Sequence, residues 1–467
     1  MQNQNILSFN QMEEKQYLLK VKDFFNNKPH TYFVETYGCQ MNVRDSQTLK
    51  GMFEEMGYTE SADRLSADAV IFNTCCVREG AEDRLLGNLG KLKSEKKKRP
   101  DMLVMICGCM MQEKGSLENI KKRFPFVDVV LGTHNTHQLP LLMFNALTKK
   151  EKQYSLFEKE SSIVEDMPVL REKDVFAFIN IMYGCNNFCS YCIVPYVRGR
   201  ERSRKSEDII KEAEHLALRG VKEITLLGQN VNSYGKNTLD ITFPDLLRKL
   251  NQIDGLERIR FMTSHPKDLS DDLIKAMAEC EKVCKYIHLP VQSGSNRILE
   301  KMNRKYSRED YLKIVEKLKK AMPDIAITTD IIVGFPGETD EDFQFTYDLY
   351  KEVCFNSAFT FIYSKRIGTP AAKMDGQVDS EKIKERMARL IALSEECSLK
   401  SNEIYLNKTY PVLVEGTAKK DETLLCGKTD HGRTVVFNGS LDKIGKIVNV
   451  KITKIKLNVL VGELEEE

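Results

Sequence analysis

The chain has 467 residues, of which 42% are hydrophobic, and its formal net charge is +2. This length predicts about three domains with ample apolar side chains for their cores. Because the sequence has no long uninterrupted apolar run and its opening segment is too polar for a signal peptide, we expect a cytoplasmic protein without membrane association. Thirteen cysteines in a reducing compartment favour metal binding or catalysis over disulfides.

The amino-terminal part of the chain alternates short apolar runs with amphipathic segments. We expect residues 1–30 to be a flexible extension, residues 31–147 to be a domain and the charged residues 148–170 to be a linker. Alternation of strands with helices predicts a parallel α/β sheet for this domain. The predicted strands are Tyr32–Thr36, Ala69–Phe72, Met102–Ile106 and Val127–Leu131.

Cysteines follow three of these strands in turn, as Cys39, Cys75 and Cys109. Open parallel sheets bind ligands at the carboxyl ends of their strands, so the three thiols are predicted to converge and to hold an iron-sulfur cluster. Scattered cysteines are more often core residues, and this alternative stays open. So does the choice of ligands, because Cys76 and Cys107 lie beside two of the three. Successive side chains of an extended segment point to opposite faces, so only one of Cys75 and Cys76 is expected to face the site.

A second strand-helix alternation occupies residues 171–401. Six such units predict an incomplete (βα) barrel, whose active site lies at the carboxyl ends of the strands. The predicted strands are Val175–Met182, Glu223–Leu227, Arg258–Met262, Lys285–Leu289, Ala326–Val333 and Ala358–Tyr363. The predicted helices include Ser206–Arg219, Asp271–Glu281, Arg308–Ala321 and Asp340–Val353.

Three closely spaced cysteines, Cys185, Cys189 and Cys192, come just after the first of these strands. A cubane iron-sulfur cluster normally takes four thiolates, so three would leave one iron open to a ligand that is not protein. The competing interpretations are a structural zinc, which needs a fourth nearby ligand, and a chance group of buried thiols.

Polar and glycine-rich runs end three further strands of the barrel. Their glycines permit close approach of a ligand, and their amides and hydroxyls supply hydrogen bonds, so together they predict a nucleoside-like ligand. The candidate residues are Gly228, Gln229, Asn230, Gln292, Ser293 and Gly334. The remaining cysteines are interpreted as structural. They are Cys280, Cys284, Cys354, Cys397 and Cys426.

Residues 402–467 show an all-β pattern, with predicted strands at Tyr410–Gly416, Thr434–Phe437 and Ile447–Ile452. Several short strands without intervening helices predict a small closed barrel. Up to Gly462 this segment has ten Lys and Arg against six Asp and Glu, because four further acids lie in the last five residues, and its basic character suits RNA. The overall charge exerts no global attraction on nucleic acid, so other RNA contacts must be local. One basic patch is Lys91–Arg99, for which a solvated helix face is an equal alternative. The arginines between Arg198 and Arg204 form the other.

The run GCNNFCSYCIVPY at residues 184–196 resembles the signature of radical S-adenosylmethionine (SAM) enzymes. With TYGCQMN at residues 36–42 and the order of domains, the chain from Thr31 to Gly462 resembles the methylthiotransferases, and within them the MiaB branch that modifies tRNA. The branches acting on a ribosomal protein and on threonylcarbamoyl-adenosine have Pro-Lys-Asn and Lys-Val-Asn after the first cysteine, which do not fit. The resemblance implies a Rossmann-like amino-terminal domain, a partial (βα)6 radical SAM barrel and a carboxy-terminal TRAM barrel.

The resemblance also implies two 4Fe-4S clusters. One is held by Cys39, Cys75 and Cys109, because family patterns place Cys76 at a variable position and Cys107 within the strand. The second is on Cys185, Cys189 and Cys192, where SAM binds the open iron, and Tyr191 is a candidate to pack on the cofactor adenine. A plain core tyrosine is nearly as good an interpretation of Tyr191.

The implied reaction replaces the C2 hydrogen of N6-dimethylallyl adenosine, at position 37 of tRNA, with a methylthio group. The implied partners are the tRNA anticodon arm, two SAM molecules and an electron donor of flavodoxin or ferredoxin type, and we expect a monomer. The TRAM barrel and the arginines from Arg198 to Arg204 are candidates to hold RNA phosphates. The alternatives are methylthiolation of threonylcarbamoyl-adenosine or a protein aspartate, and an iron-sulfur RNA-binding protein without catalysis.

Overall fold

The computed structural model describes residues 15–26, 28–76, 79–156, 163–171, 175–236 and 238–465. Parts of the predicted extension (1–14) and linker (157–162), and Val77 and Arg78 after the second cysteine motif, lie outside these residues. The chain forms two compact units. Unit one comprises Met1–Glu172, Gly184–Asn186 and Cys192–Arg202, and unit two comprises Lys173–Tyr183, Asn187–Tyr191 and Ser203–Glu467. Among the described residues, no helix is long and apolar enough to cross a membrane.

Unit one is built on a six-stranded parallel sheet with the order β2-β1-β3-β4-β5-β6. Its strands are β1 (His30–Thr36), β2 (Tyr58–Glu60), β3 (Ala69–Thr74), β4 (Leu103–Gly108), β5 (Val129–Leu131) and β6 (Gln153–Ser155). Its helices are α1 (residues 15–24), α2 (Gln40–Glu55), α3 (Glu79–Lys98), α4 (Ser116–Arg123), α5 (Leu139–Lys149) and the short α6 (Val194–Arg198). The central strands β3 and β4 are buried along their whole length. Their alternate side chains enter two separate apolar clusters, one on each face of the sheet.

Two segments of unit one differ from the sequence predictions. Residues 15–24 are helical, and Leu18 and Val21 are buried in an apolar cluster with Phe53. The expectation of a flexible extension is therefore wrong for this helix, because its two apolar side chains lie one turn apart on the face that packs against the sheet. Strand β6 lies within the predicted linker and pairs with β5. Its composition is polar because it is an edge strand, one side of which faces no other strand.

The core of unit two contains six parallel strands in two sheets, ordered β11-β10-β7 and β12-β13-β14. The strands are β7 (Phe176–Asn180), β8 (Met182–Tyr183), β9 (Arg202–Ser203), β10 (Glu223–Leu227), β11 (Arg258–Phe261), β12 (Tyr286–His288), β13 (Ala326–Val333) and β14 (Ser357–Ile362). The helices are α7 (Ser206–Leu218), α8 (Phe243–Leu250), α9 (Asp271–Glu279), α10 (Asn296–Lys301), α11 (Arg308–Ala321), α12 (Asp340–Val353) and α13 (Ser380–Glu403). Two helices, α11 and α12, begin with a full capping box, which accounts for the accuracy of their predicted starts.

One face of the two sheets of unit two is packed by helices. Ile327 and Ile331 of β13 enter the large cluster that includes helical residues such as Leu349. The alternate residues of β13 point to the other side, which we call the inner face, and they are Thr328, Asp330 and Ile332. Parallel pairing sets Ser357, Phe359 and Phe361 of β14 beside them. The predicted six-stranded partial barrel is confirmed.

The last part of unit two is a closed barrel with the order β15-β16-β17-β19-β18. Its strands are β15 (Thr409–Ala418), β16 (Asp421–Thr429), β17 (Thr434–Asn438), β18 (Ile447–Ile455) and β19 (Leu460–Leu464). Arg258 and Arg260 of β11 reach out from the inner face of the core and donate hydrogen bonds to backbone carbonyls of the barrel, including that of Lys428 at 2.7 Å. These bonds attach the barrel at the inner face of the core.

Candidate functional site

The three strand-end cysteines of unit one lie where the sequence placed them. Cys39 is the residue before helix α2, Cys75 directly follows β3, and Cys109 begins a short 3-10 helix after β4. Strands β1, β3 and β4 are adjacent in the sheet, so their carboxyl ends lie side by side. Cys107 lies inside β4 and packs in the apolar cluster on one face of the sheet, as expected for a core residue.

The side chain of Asn42 connects the segments that carry these cysteines. Its Nδ2 donates to the carbonyl of Tyr37 at 3.1 Å and to that of Thr74 at 3.0 Å. Its Oδ1 lies 3.5 Å from Cys39 Sγ and accepts a hydrogen bond from Arg198 at 3.3 Å. Asn42 is fully buried, so losing any of these bonds would leave a desolvated polar group. One amide therefore fixes the backbone before Cys39 and before Cys75.

Cys109 accepts a hydrogen bond from a buried arginine. Nε of Arg198 lies 3.0 Å from Cys109 Sγ, and its Nη2 lies 3.3 Å from Asp45 Oδ2. A hydrogen bond from the Cys76 thiol, followed by the charge of Arg198, lowers the pKa of Cys109, while Cys76 itself has a pKa well above its usual value. These neighbours favour the thiolate form of Cys109, which is the form that binds metals.

The two adjacent cysteines after β3 do point in different directions, as the extended backbone predicts. Cys76 shares a small buried cluster with Cys109, whereas Cys75 packs in the apolar cluster that contains Tyr37. Cys75 lies against Gly38, where an added Cβ would be 2.5 Å from the Cys75 Cβ. Cys75 is thus held next to the backbone of Cys39, and Cys76 next to Cys109.

Among the described residues, no three His, Cys, Asp or Glu side chains are gathered as the ligands of a single metal ion would be. In a cubane each thiolate binds a different iron, so its sulfurs lie farther apart than the ligands of one ion. Three cysteines at adjacent strand ends, one of them accepting a hydrogen bond from a buried guanidinium, are a donor set that suits such a cluster better than a lone cation. The choice between Cys75 and Cys76 stays a prediction.

The second group of cysteines lies in the loop after β8. Gly184, with φ of +78°, precedes Cys185, and an added Cβ there would lie 2.0 Å from the Arg200 carbonyl, so only glycine fits. The backbone N–H of Cys185 donates to the Gly199 carbonyl. Cys185 is buried and Cys192 half-buried. They belong to unit one, whereas Cys189 belongs to unit two.

Cys189 also has a buried arginine beside its sulfur. Nη1 of Arg304 lies 3.4 Å from Cys189 Sγ, and its other nitrogens donate to Tyr306 Oη and to the Pro290 carbonyl, each at 2.7 Å. Next along the chain, Ser190 donates from its hydroxyl to the Lys301 carbonyl at 2.8 Å. These bonds anchor the centre of the cysteine loop to the barrel core.

The predicted nucleoside-binding residues divide into two groups. Asn230, after β10, is 1% exposed; its Nδ2 donates to Asp268 but its Oδ1 has no hydrogen-bond partner. The Ser264 hydroxyl, after the adjacent strand β11, is likewise buried without a partner. Buried polar groups need partners, so this pair suits a polar ligand at the strand ends.

The other predicted residues have protein contacts that explain them. Gly228 is required by the close side chain of Met182, and Gly334 by that of Ile383. The hydroxyl of Ser293 lies 3.3 Å from that of Thr346, and Gln292, with φ of +68°, bridges to β13 through its backbone. Gln229 lies between Gly228 and Asn230 and also interacts with other groups of the protein. Tyr191 packs beside the cluster that includes Met302 and Phe335.

The arginine run after the cysteine loop does not form the predicted phosphate-binding patch. Arg198 and Arg204 are buried, and Arg204 pairs with Glu212 and donates to the Asn180 carbonyl. Arg202 lies 2.7 Å from His134 Nδ1, which leaves Arg200 as the exposed member. Arg198 and Arg204 therefore lie inside the protein, where carboxylates and a carbonyl neutralise or bind them.

The basic run at the end of α3 is also partly used inside unit one. Lys96 pairs with Asp128 at 2.8 Å, and both side chains are nearly buried. Lys98 pairs with Glu95, and Arg99 with Asp68. The interpretation as an ordinary helix face is therefore favoured over RNA binding.

The inner face of unit two carries exposed aromatic side chains. Phe359 is 54% exposed and Phe361 45%, although both lie on a strand of the core sheet. Beside them, His288 Nδ1 contacts the Thr328 hydroxyl at 3.0 Å and its Nε2 lies 3.4 Å from Asp330. An apolar patch next to a few fixed polar groups is typical of a ligand site.

The domain order matches known families over three stretches. Residues 31–132 match the Uncharacterized protein family UPF0004, residues 179–350 the Radical SAM superfamily and residues 403–464 the TRAM domain. A tRNA-2-methylthio-N6-dimethylallyladenosine synthase of Clostridium novyi is 54% identical over 444 residues, covering 95% of this chain and 98% of that protein. The chain belongs to this synthase family. It is a radical SAM methylthiotransferase, and family membership implies a 4Fe-4S cluster and SAM.

Other members of the synthase family are similar to this chain to the same degree. The protein of that name from Clostridium botulinum (strain Loch Maree / Type A3) is 55% identical over 447 residues, covering 96% and 99% of the two chains. That of Alkaliphilus oremlandii is 54% identical, covering 96% and 95%. Among solved structures, the radical SAM methyltransferase TsrM of Kitasatospora setae has a TM-score of 0.55 at 14% identity, covering 74% of each chain, which shows a shared fold.

Sequence reasoning missed three residues of the cysteine sites, and one of them, Arg198, was assigned to RNA binding instead. Asn42 stood inside a recognised motif but carried no role, and Arg304 follows the fourth strand-end run without any nearby cysteine in sequence. The signal for Asn42 was its position three residues after Cys39, which places it in the first turn of α2. Arg304 is 115 residues from Cys189, and no local pattern connects them.

Proposed function

We propose that the protein installs a methylthio group on C2 of N6-dimethylallyladenosine at position 37 of tRNA. The observation that carries this proposal is the near-full-length identity of 54–55% to synthases of that product. The six cysteines of the two motifs and the basic terminal barrel are the features that such a reaction needs. Because its substrate is tRNA, we place the enzyme in the cytoplasm, acting as a monomer with an electron donor of flavodoxin or ferredoxin type.

Two sets of thiolates would hold two 4Fe-4S clusters. Cys185, Cys189 and Cys192 would hold the cluster that binds SAM, and Cys39, Cys75 and Cys109 an auxiliary cluster. When bound, these groups supply the radical chemistry that an unactivated ring hydrogen requires. The protein supplies thiolates and holds them by Asn42, Arg198 and Arg304. Four of the six cysteines, Cys75, Cys109, Cys185 and Cys189, are buried away from water, whereas Cys39 is exposed and Cys192 is half-buried.

The strand ends of unit two would bind SAM by its polar groups. The unpartnered Asn230 Oδ1 can accept a hydrogen bond, and the Ser264 hydroxyl can donate or accept one. Gln229, Gln292, Ser293 and Gly334 support the backbone of this site. Tyr191, on the loop of Cys189, is the candidate for packing on the adenine.

The inner face of unit two would receive the modified base. Phe359 and Phe361 offer exposed aromatic rings, which suit a branched apolar substituent such as the dimethylallyl group. A threonylcarbamoyl substituent ends in a carboxylate, which these rings would not pair. The aromatic patch therefore favours the prenylated adenosine over that alternative.

The terminal barrel would hold the anticodon arm by its phosphates. Its attachment through Arg258 and Arg260 keeps the RNA-binding domain fixed relative to the inner face of the core, with which it forms one compact unit. A base inside a structured loop must be turned outward to reach a catalytic site, so a rigid grip on the arm aids that step.

The decisive experiment combines a gene knockout with mass spectrometry of tRNA nucleosides. Loss of 2-methylthio-N6-dimethylallyladenosine, with accumulation of its unthiolated precursor, is the expected outcome. Unchanged levels of the methylthiolated nucleoside would refute the proposal. Loss of the methylthiolated form of threonylcarbamoyl-adenosine instead would assign the alternative substrate. Anaerobic formation of 5′-deoxyadenosine by the reconstituted protein separates an enzyme from a non-catalytic iron-sulfur RNA binder.

A further inference from the structure

Arg198 is a buried cation whose side chain contacts Cys109 and the part of helix α2 that follows Cys39. Its side chain is 6% exposed, and its Nε donates to Cys109 Sγ at 3.0 Å. Its Nη2 donates to Asn42 Oδ1 and Asp45 Oδ2, each at 3.3 Å, and its Nη1 lies 3.9 Å from Met41 Sδ. Every nitrogen of the guanidinium therefore has a partner at this site.

These contacts are costly unless the site needs them. Burying a guanidinium requires an opposite charge and several acceptors, and here the acceptors are one carboxylate, one amide oxygen and one cysteine sulfur. A simple packing role would be filled as well by an apolar side chain of similar volume. The planar guanidinium group of Arg198 is what an apolar side chain would lack, because one of its edges contacts Cys109 and another contacts the first turn of α2.

We infer that Arg198 is a positioning residue that sets the reduction potential of the auxiliary cluster through Cys109. The inference rests on the proposed assignment of that cluster to Cys39, Cys75 and Cys109. A hydrogen bond to a ligating sulfur and a nearby positive charge both stabilise the more negative, reduced state of an iron-sulfur cluster. Asp45 opposes this effect, since its carboxylate offsets part of the arginine charge.

Removing the charge of Arg198 and removing that of Asp45 should shift the reduction potential in opposite directions. Replacing Arg198 by Gln keeps a hydrogen-bond donor of lower reach but removes the charge, so the potential should fall. The Asp45→Asn substitution keeps the shape of the side chain and removes the negative charge, so the potential should rise. A role confined to holding the backbone together would not move the potential in opposite directions at two neighbouring residues.

The test is a redox titration followed by electron paramagnetic resonance on the full-length protein. Cys185, Cys189 and Cys192 are replaced by Ala in all samples, so that only the auxiliary cluster is present. Arg198→Gln, Arg198→Lys and Asp45→Asn are compared with this parent, and Arg99→Gln serves as the control because Arg99 pairs with Asp68 at the surface. Iron and sulfide are counted for each sample, about four irons being expected per chain.

The expected result is a lower potential for Arg198→Gln, a higher one for Asp45→Asn, a smaller fall for Arg198→Lys and no shift for Arg99→Gln. Unchanged potentials in both Arg198→Gln and Asp45→Asn, with full iron content, would overturn the inference and leave the proposed function intact. If the parent binds no cluster, the proposed auxiliary site fails and the inference with it. If Arg198→Gln alone loses its iron, Asp45→Asn decides the matter: a higher potential supports the inference, and an unchanged or lower potential overturns it.

Discussion

The two cysteine sites lie on different frameworks, yet each has one buried guanidinium at one cysteine sulfur. In unit one Arg198 contacts Cys109, and in unit two Arg304 contacts Cys189. Their charge balance differs. Asp45 pairs with Arg198, whereas within the described part of the chain Arg304 has only the Tyr306 hydroxyl and a backbone carbonyl as further partners. The positive charge at Cys189 is thus less compensated than the one at Cys109.

This difference should be visible in the potentials of the two proposed clusters. A nearby cation stabilises the reduced state of an iron-sulfur cluster, so the less compensated charge at Cys189 should raise the potential of its cluster more than Arg198 raises that of the auxiliary cluster. Variants at the two cysteine sites test this expectation.

The largest expected effect comes from removing one cysteine of each set. Cys189→Ala should lose 5′-deoxyadenosine formation and methylthiolation together. Cys75→Ala should still form 5′-deoxyadenosine from SAM but transfer no methylthio group. Both products are measured by liquid chromatography with mass spectrometry in anaerobic assays. If Cys75→Ala loses SAM cleavage as well, the two sets do not divide the work.

The next test decides between the two adjacent cysteines. Cys76 donates a hydrogen bond to Cys109 and is not proposed as a ligand, so Cys76→Ala should keep its full iron content and most of its methylthio transfer. Cys75→Ala is the matched variant, and its iron content should fall by about half, since one of two cubanes is lost. The reverse pattern in an iron assay would assign Cys76 as the ligand.

Arg304 should matter next, because it acts through a ligating sulfur. We expect Arg304→Gln to lower SAM cleavage by about 10–100-fold, the usual cost of losing a partner of a metal ligand. Its shift in cluster potential should exceed that of Arg198→Gln, since no carboxylate shares its charge. Arg204→Gln, which breaks a buried pair with Glu212 without touching a cysteine, is the control. Equal shifts in cluster potential for Arg304→Gln and Arg198→Gln would contradict the expected difference between the two sites.

A smaller effect is expected at the aromatic patch. Phe361→Ala should lower kcat/KM for prenylated tRNA by about tenfold, as expected for lost contact with a small apolar group. Binding of anticodon stem-loops with and without the dimethylallyl group measures this directly, and the variant should lose the preference for the prenylated form. Phe345→Ala removes an exposed ring from the outer helix α12 and should leave that preference unchanged.

The smallest effect concerns buried histidines next to the arginines of each unit. Burial, and then the charge of Arg202, lowers the pKa of His134 to about 3, and burial with Arg304 lowers the pKa of His265. The unfolded chain takes up these protons below about pH 6.5 while the folded protein stays unprotonated, so stability falls with decreasing pH. His134 alone should cost about 1 kcal/mol between pH 6.5 and 5.5. Urea unfolding at both pH values should show this loss, which His134→Gln should reduce.

Much of the fold was predictable because its signals are local. The strands Glu223–Leu227 and Ala326–Val333 and the helices Arg308–Ala321 and Asp340–Val353 have the predicted bounds, since apolar runs and capping residues mark them in the sequence. Edge strand β6 and helix α1 were missed because their burial depends on distant neighbours.

The cysteine motifs could be found from spacing, but their supporting residues could not. Arg198 was assigned to RNA because alternating arginines in a loop are usually exposed, and only the fold turns this one toward Cys109. The Arg304–Cys189 contact joins residues far apart in sequence, so no window contains both. Electrostatic support of a site is a property of tertiary structure, and it is the part that sequence patterns reveal least.

The division of the chain into units has a consequence for how such enzymes can be recombined. Unit one is discontinuous: its sheet ends before residue 172, but the segment Cys192–Arg202 returns to it and brings Arg198. A gene fragment cut at the predicted linker would encode Cys39, Cys75 and Cys109 without their arginine. An exchange of amino-terminal domains between relatives must therefore carry the short segment that encodes Cys192–Arg202 as well.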